Sequence, residues 1–376
     1  ERNKEYLSWW KMNNNPELTK LLLPQVRDAK PYAGVDPPEV LAERAGIAKE
    51  KIVKLNGNEN LYGPSPKVAK ALAEYGSYNI YPDPRQTKLR RVLADYAGTD
   101  YERVVAGVGS DEIIDLLLRL FVGPGDEVIS FAPGFEMYTT FTDLIGGSMV
   151  SIPLDETFDV DFDKVKAVVD KGKTKVIFLT LPNNPTGNLF SEDTVRSLLD
   201  LGVMVVVDEA YYEFSKTTVI NLAPDYANLI VLRTFSKWAG LAGLRLGYGV
   251  MDPYVAERML VIKPPYNISI AAELAFYATI EDKEAQLLKV DKIVSERDKL
   301  FNSLQGITGL VPIPSHANFI LCLIQNGNGL QVYEELAKRG VFVRHYNNQY
   351  LKGYIRISVG LPEDNSILVQ ALKEIL

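Results

Sequence analysis

A lysine, an aspartate and an asparagine turn each follow an apolar run in this chain, and their types suggest one shared chemistry. Lys237 closes Thr234-Phe235-Ser236-Lys237, just after the apolar run 229–232, and Arg245 follows eight residues on. A lysine desolvated beside another cation loses basicity and becomes an amine nucleophile for an aldehyde. Arg245 is the cation expected to act so, and its rigid fork also suits a phosphate. Asp208 ends Val205-Val206-Val207. A carboxylate at the end of a buried strand needs a cation or several donors. A protonated pyridine nitrogen is one such cation, and the pairing would keep the ring positive and able to accept electrons from a carbanion. Tyr211 lies three residues later, placed to hydrogen-bond a ring hydroxyl. Asn184, in the turn Leu181-Pro182-Asn183-Asn184-Pro185-Thr186-Gly187, is a second donor for that oxygen, held by a turn that two prolines stiffen. Gly107-Val108-Gly109-Ser110-Asp111 offers an anion cradle, because glycines admit close approach and a helix N-terminus supplies free N–H groups. It follows neither the P-loop nor the dinucleotide pattern. The Asp111 side chain would repel a phosphate, so its expected part is played by its backbone.

Each feature has a plainer meaning alone. Most lysines are solvated, Asp208 can cap a turn while Tyr211 fills core, the Pro/Asn stretch can be an ordinary turn, and the glycines can precede a capped helix. The elements that carry them decide between the two. Strands are predicted at 104–106, 127–131, 175–180, 203–207, 229–232 and 246–250, several apolar throughout, as in a sheet covered on both faces. Helices are predicted at 66–75 and 86–96, and a further one is capped by Ser110, with Asp111 and Glu112 in its first turn. This is an α/β pattern: a three-layer α/β/α large domain with a mostly parallel sheet. Ligands in such sheets lie beyond the carboxyl ends of the strands, where all four features fall. A long helix is predicted over 271–304, followed by a smaller α+β unit.

Length and composition narrow the function. A chain of 376 residues with 47% apolar and 24% charged residues has room for two cores. The net charge of −7 and the lack of a basic tract argue against nucleic acid as a partner. The one cysteine, Cys322, lies in the apolar run 319–324 and reads as a buried strand residue; no internal disulfide is possible. The two histidines, His316 and His345, with no CxxC or HExxH pattern, argue against a metal site. No run reaches membrane-spanning length. Residues 1–37 are polar with aromatic islands at Tyr6, Trp9, Trp10 and Tyr32, and read as an arm that packs on something else.

Taken together and in order, RTFSKWAGLAGLRLGYG, NNPTG, VVVDEAYYEF and GVGSDE resemble the class I/II aminotransferases of fold type I, which use pyridoxal 5'-phosphate (PLP). KLNGNENLYGPSP, YPDPRQTKLR and VRHYNNQYLKGYIRISVG are most similar to the histidinol-phosphate aminotransferases, collinearly from about Ala29 to the C-terminus. The resemblance implies an arm at 1–37, a large PLP-binding domain at 65–268 and a small domain from 38–64 and 269–376. It implies that Lys237 carries the cofactor as a Schiff base and shuttles the proton. Asp208 then pairs with the pyridine nitrogen, and Asn184 and Tyr211 bind the ring hydroxyl. Ser110, Asp111, Ser236 and Arg245 hold the phosphate, and Phe135 of Pro133-Gly134-Phe135 stacks on the ring. Tyr81 reaches the phosphate of a neighbouring subunit, making the active unit a homodimer. Tyr32, Arg344 and Arg356 bind the anionic group of the substrate, with Asn60 and Tyr62 nearby. One departure is Leu61, where the family often has proline after NEN. The implied reaction converts L-histidinol phosphate and 2-oxoglutarate to imidazole acetol phosphate and L-glutamate, in histidine biosynthesis. An aromatic amino acid aminotransferase and a PLP-dependent amino-acid-phosphate decarboxylase are the nearest alternatives; a regulator without turnover is a third. The expected location is the cytoplasm, or a plastid after removal of a transit peptide if the source is a plant, since the chain starts at Glu1.

Overall fold

The computed structural model describes residues 15–27, 29, 32, 34–325 and 327–376. The islands at Tyr6, Trp9 and Trp10 lie outside the described residues, as do all of 1–14 in the expected arm. The first strand, β1 (Val53–Lys54), belongs to the smaller part of the molecule. The next seven form the main sheet: β2 (Val104–Val108), β3 (Glu127–Ala132), β4 (Ser148–Pro153), β5 (Thr174–Thr180), β6 (Met204–Asp208), β7 (Leu229–Thr234) and β8 (Leu246–Val250). Their order is β2-β8-β7-β6-β5-β3-β4. All pairs are parallel except those of β8, which runs antiparallel to β2 and β7.

The unbroken apolar runs follow from two covered faces. On β6, Val205 and Val207 join one hydrophobic cluster while Val206 joins another, and on β7 Leu229 and Val231 alternate likewise with Ile230 and Leu232. Both faces are dry, so neither tolerates the polar half of an alternating strand. Register then sets the carboxyl ends side by side: Thr180 pairs with Asp208, and Asp208 with Leu232. Because β8 runs backwards, its first residue, Leu246, pairs with Val108 at the end of β2. Arg245 therefore arrives at the same sheet edge as the glycine turn.

The smaller part holds an antiparallel sheet of β9 (Leu310–Pro312), β10 (Phe319–Ile324), β12 (Arg344–His345) and β13 (Tyr354–Ser358), in the order β12-β13-β10-β9. The strand β11 (Val341–Phe342) pairs in parallel with β1. Strands β10 and β13 hold Leu321 opposite Arg356, and Arg344 also faces Arg356.

Three expectations change. The helix predicted over 271–304 is two helices, Ile270–Glu281 and Lys283–Gln305, broken at Asp282 (φ −112°, ψ 21°), whose carboxylate accepts the Ser65 hydroxyl at 2.5 Å. The expected division at 268/269 also moves. Ala272, Ala275, Phe276, Val290 and Ile293 pack in the same core as β6 and β7, whereas Leu300, Phe301 and Leu304 join the second core with Ile320, Ile355 and Leu368. The composition change after Ile268 marks the end of the sheet, not the end of its covering helices. Third, Ser110 does not cap its helix. The helix is Gly109–Phe121, Val108 is the cap residue without a side-chain bond, and the carboxylate of Glu112 takes the Val108 N–H at 2.7 Å.

Candidate active site

A cleft of about 340 Å³ opens where the carboxyl ends of β5, β6 and β7 face the small sheet. Lys237, Asp208, Tyr211, Asn184, Ser110, Asp111, Ser236, Arg245 and Phe135 all line it, as do Tyr32, Arg344 and Arg356. Among these expected residues, then, the fold gathers a lysine, a buried carboxylate, a phenol, an anion cradle and two further guanidiniums.

Asp208 is 3% exposed. Its Oδ2 accepts the Tyr138 hydroxyl at 2.9 Å and its Oδ1 the Ala210 N–H at 3.1 Å. Among the described residues no cation pairs with it. Burial, only partly offset by the Tyr138 bond, pushes its carboxyl up to about 6. A buried carboxylate kept short of a counter-charge is a receptor for a cation. Tyr138 itself is buried, stacked on Phe178 at 4.3 Å, and touched edge-on by Phe135 at 5.3 Å.

Lys237 is half-buried and donates to the Gly57 carbonyl at 3.2 Å. Desolvation first, then the Arg356 guanidinium, bring its amine down to about 8. Arg245 was the expected cation, yet its influence is smaller: its Nη2 is tied to the Asp111 carboxylate at 2.8 Å. That ion pair also answers the expected repulsion at Asp111, whose charge is partnered by a guanidinium.

The cradle is built by close approach. Gly109 has φ +72°, and a Cβ there would sit 2.7 Å from Arg245 Nη2; a Cβ on Gly247 would sit 2.5 Å from the Ser110 nitrogen. Only glycine satisfies both positions, so the helix start, Arg245 and the Ser236 hydroxyl converge. Arg245 Nη1 reaches Ser236 Oγ at 3.5 Å. The first-turn N–H groups of the helix Gly109–Phe121 lack intrahelical acceptors; that of Gly109 goes to the Arg245 carbonyl at 3.1 Å, and Ser110 and Asp111 follow at this corner.

At the opposite side, Tyr211 OH accepts from Asn58 Nδ2 at 2.9 Å and from Asn184 Nδ2 at 3.4 Å. With burial raising its phenol to about 12, Tyr211 stays protonated and has its proton to donate into the cleft. Arg356 is 7% exposed; its Nη1 donates to Asn184 Oδ1 at 2.7 Å and its Nη2 to the Asn56 carbonyl at 3.0 Å, while its Nε has no partner. Arg344 lies over the Tyr32 and Tyr346 rings, 5.9 and 5.7 Å from their centroids. Among the described residues neither arginine has a carboxylate partner, so both are open to an anion.

Three expected residues lie elsewhere. Asn60 is outside the cleft: its amide donates to the Trp238 carbonyl at 2.7 Å and its oxygen accepts the Tyr62 N–H at 3.0 Å. Tyr62 packs against the large core instead. Tyr81 is 76% exposed and stacked on Tyr266 at 4.4 Å, and does not line this chain's own cleft. The residues missed from the sequence are Asn58, Tyr138, Thr180 and Glu136. The string Leu55-Asn56-Gly57-Asn58-Glu59-Asn60 carried the signal for the first. Asn58 adopts a left-handed backbone (φ 52°), which breaks the alternation and turns its amide, rather than that of Asn60, toward Tyr211.

The donors fit a planar heteroaromatic aldehyde bearing a phosphate. The amine meets the aldehyde, the uncompensated carboxylate meets a ring cation, the phenol and amide meet a ring oxygen, and the cradle meets the phosphate.

Comparison with known proteins agrees with this geometry. Residues 50–372 match the model of the family "Aminotransferase class I and II". A protein of Dehalococcoides mccartyi named histidinol-phosphate aminotransferase is 46% identical over 91% of this chain and 94% of its own. A chloroplastic protein of Arabidopsis thaliana named histidinol-phosphate aminotransferase 1 is 42% identical over 93% of this chain and 85% of its own. The crystal structure of histidinol-phosphate aminotransferase from Sinorhizobium meliloti in complex with pyridoxal-5'-phosphate superposes with a TM-score of 0.87 at 27% identity, covering 97% of this chain and 98% of that one. All the cleft residues named above except Tyr32 thus sit within the matched span, and the chain belongs to the class I and II aminotransferases.

Proposed function

We propose that this aminotransferase uses PLP to move the amino group of L-histidinol phosphate to 2-oxoglutarate, yielding imidazole acetol phosphate and L-glutamate. The observation that carries it is the pairing, in one cleft, of a lysine of lowered basicity with a buried carboxylate that has no cation beside it among the described residues. Bound PLP supplies an electrophilic carbon and an electron-accepting ring. In this reading Lys237 would hold the cofactor through its carbon, and its Nζ would take and return the substrate α-proton; an amine brought down to about 8 suits both tasks near neutral pH. Asp208 stays ionised opposite the ring nitrogen, and Tyr138 fixes the carboxylate plane. Tyr211 and Asn184 hold the ring oxygen, Phe135 covers the ring face, and Ser110, Ser236, Arg245 and the Asp111 backbone hold the phosphate.

Arg344 and Arg356 receive the phosphate of the donor and, in the second half-reaction, a carboxylate of the acceptor. A planar guanidinium serves either anion. Tyr32 lies beside Arg344 at the mouth. The relatives' names favour histidinol phosphate over an aromatic amino acid as donor. An exposed Tyr81–Tyr266 pair, with Tyr254 and Val261 also exposed, suits a homodimer in which Tyr81 enters the partner's site. No helix among the described residues is long and apolar enough to cross a membrane. A cytoplasmic or, in a plant, plastid location fits both kinds of relative.

A donor screen tests the reading. Purified enzyme with PLP should convert histidinol phosphate with 2-oxoglutarate at a kcat/KM at least about tenfold above that for phenylalanine or tyrosine, because a second anion is held by charged donors. Equal values point to the aromatic enzyme, and carbon dioxide released from an amino-acid phosphate without an oxo acid points to a decarboxylase.

A further inference from the structure

The loop 81–86 and the segment 263–267 meet beside the anion cradle. At the surface they touch through the Tyr81–Tyr266 stack. Beneath that stack the contacts become polar. Gln86, 2% exposed and left-handed (φ 55°), donates to the Ala106 carbonyl at 3.0 Å and to Asn267 Oδ1 at 2.8 Å, and accepts the Ala106 N–H at 3.2 Å. Asn267 Nδ2 donates to Glu112 Oε2 at 2.7 Å. That same oxygen accepts the Val108 N–H at 2.7 Å. Lys263, 5% exposed, clasps both segments by donating to the carbonyls of Pro84, Pro264 and Pro265 at 2.9, 3.1 and 3.2 Å.

Val108 directly precedes Gly109 and Ser110, so Glu112 grips the backbone at the entrance to the cradle. A first-turn carboxylate that satisfies a free N–H is ordinary helix capping. Here the carboxylate is itself oriented by Asn267, from a segment 155 residues away in sequence, and Asn267 is oriented by Gln86. A cap that served the helix alone needs no such buttress.

We propose that Glu112 is a positioning residue for cofactor binding, held by Asn267 and Gln86 so that the Val108–Ser110 turn keeps the shape that grips a phosphate. This rests on the reading above that the turn holds the PLP phosphate. It assigns Glu112 no contact with the cofactor.

The test is the PLP dissociation constant of the apoprotein, titrated by cofactor absorbance, beside its thermal midpoint. Glu112→Ala should weaken PLP about tenfold, as expected for losing a bond to a charged group. Glu112→Gln, whose amide oxygen can accept both N–H groups, should stay within about threefold of the wild type. Asn267→Ala should weaken PLP by roughly three- to fivefold, since it loosens the carboxylate without removing it. Asp161 caps the remote helix Phe162–Val169 through Lys164 N at 3.2 Å, so Asp161→Ala should lower the midpoint and leave PLP affinity unchanged. Wild-type affinity in Glu112→Ala, or equal weakening in Asp161→Ala, overturns the proposal. If Glu112→Ala does not fold, unchanged affinity in Asn267→Ala overturns it alone. Failure of the wild-type protein to bind PLP would instead remove the functional reading, and this inference with it.

Discussion

Two neighbouring carboxylates at the end of β6 meet opposite fates. Asp208 and Glu209 are both buried, at 3% and 0% exposure. Glu209 has a full set of partners: Arg233 Nε and Nη2 at 3.0 and 2.9 Å, the Thr218 hydroxyl, and the Val219 N–H at 2.7 Å. Arg233 lies over the Tyr212 ring at 3.6 Å and is itself buried. Among the described residues Asp208 has two neutral donors and no cation. One carboxylate closes its own charge account within the fold, and the other leaves its charge to be met from outside. The cleft arginines repeat the pattern: Arg356 is as buried as a structural arginine yet pairs with no carboxylate among the described residues. In the proposed site these buried charges are left for a ligand to complete.

That contrast can be broken by substitution. Lys237→Ala should cut turnover by about 10⁴-fold or more, through loss of the attacking amine and the proton shuttle, and leave the apoprotein no less stable. Its visible cofactor absorbance should vanish; turnover within tenfold of the wild type would remove Lys237 from the chemistry. Arg233→Ala, on the closed side, should cost about 3 to 5 kcal/mol of stability by stranding Glu209. A loss below 1 kcal/mol in urea unfolding would show that this pair is not the buried partner set described.

The smallest effect is the most discriminating. The Asp208 carboxyl is raised in the folded apoprotein, from near 3.8 to about 6. Between those values the folded state binds more protons than the unfolded state, so apoprotein stability should fall as pH rises from about 4 to 6. Above pH 6 the full penalty is present. Asp208→Asn should therefore stabilise the apoprotein at pH 7 by about 2 to 3 kcal/mol while crippling transamination. An apoprotein whose urea midpoint at pH 7 drops in Asp208→Asn would mean that Asp208 has a cationic partner already.

The chemistry-bearing strings were legible because each is local. Lys237, Asp208, Asn184 and Ser110 stand just beyond predicted strands, and parallel strands collect their carboxyl ends at one edge. Asn58 and Tyr138 were not legible. Asn58 points at Tyr211 only because its backbone is left-handed, and Tyr138 reads as one more helix aromatic until β6 delivers Asp208 beneath it. The break at Asp282 was also hidden, since the apolar positions on both sides fit a helix.

By itself the amino-acid sequence determined the alternation of elements, the double-faced sheet and the types of group waiting at its edge, since these follow from periodicity and residue chemistry. The tertiary structure decided which charges are partnered. Arg245 went to Asp111, Arg233 to Glu209, and Arg356 to Asn184 and a carbonyl. Those choices depend on distances of a few ångströms between segments up to 300 residues apart, and electrostatic energy in a dry interior is set at that scale.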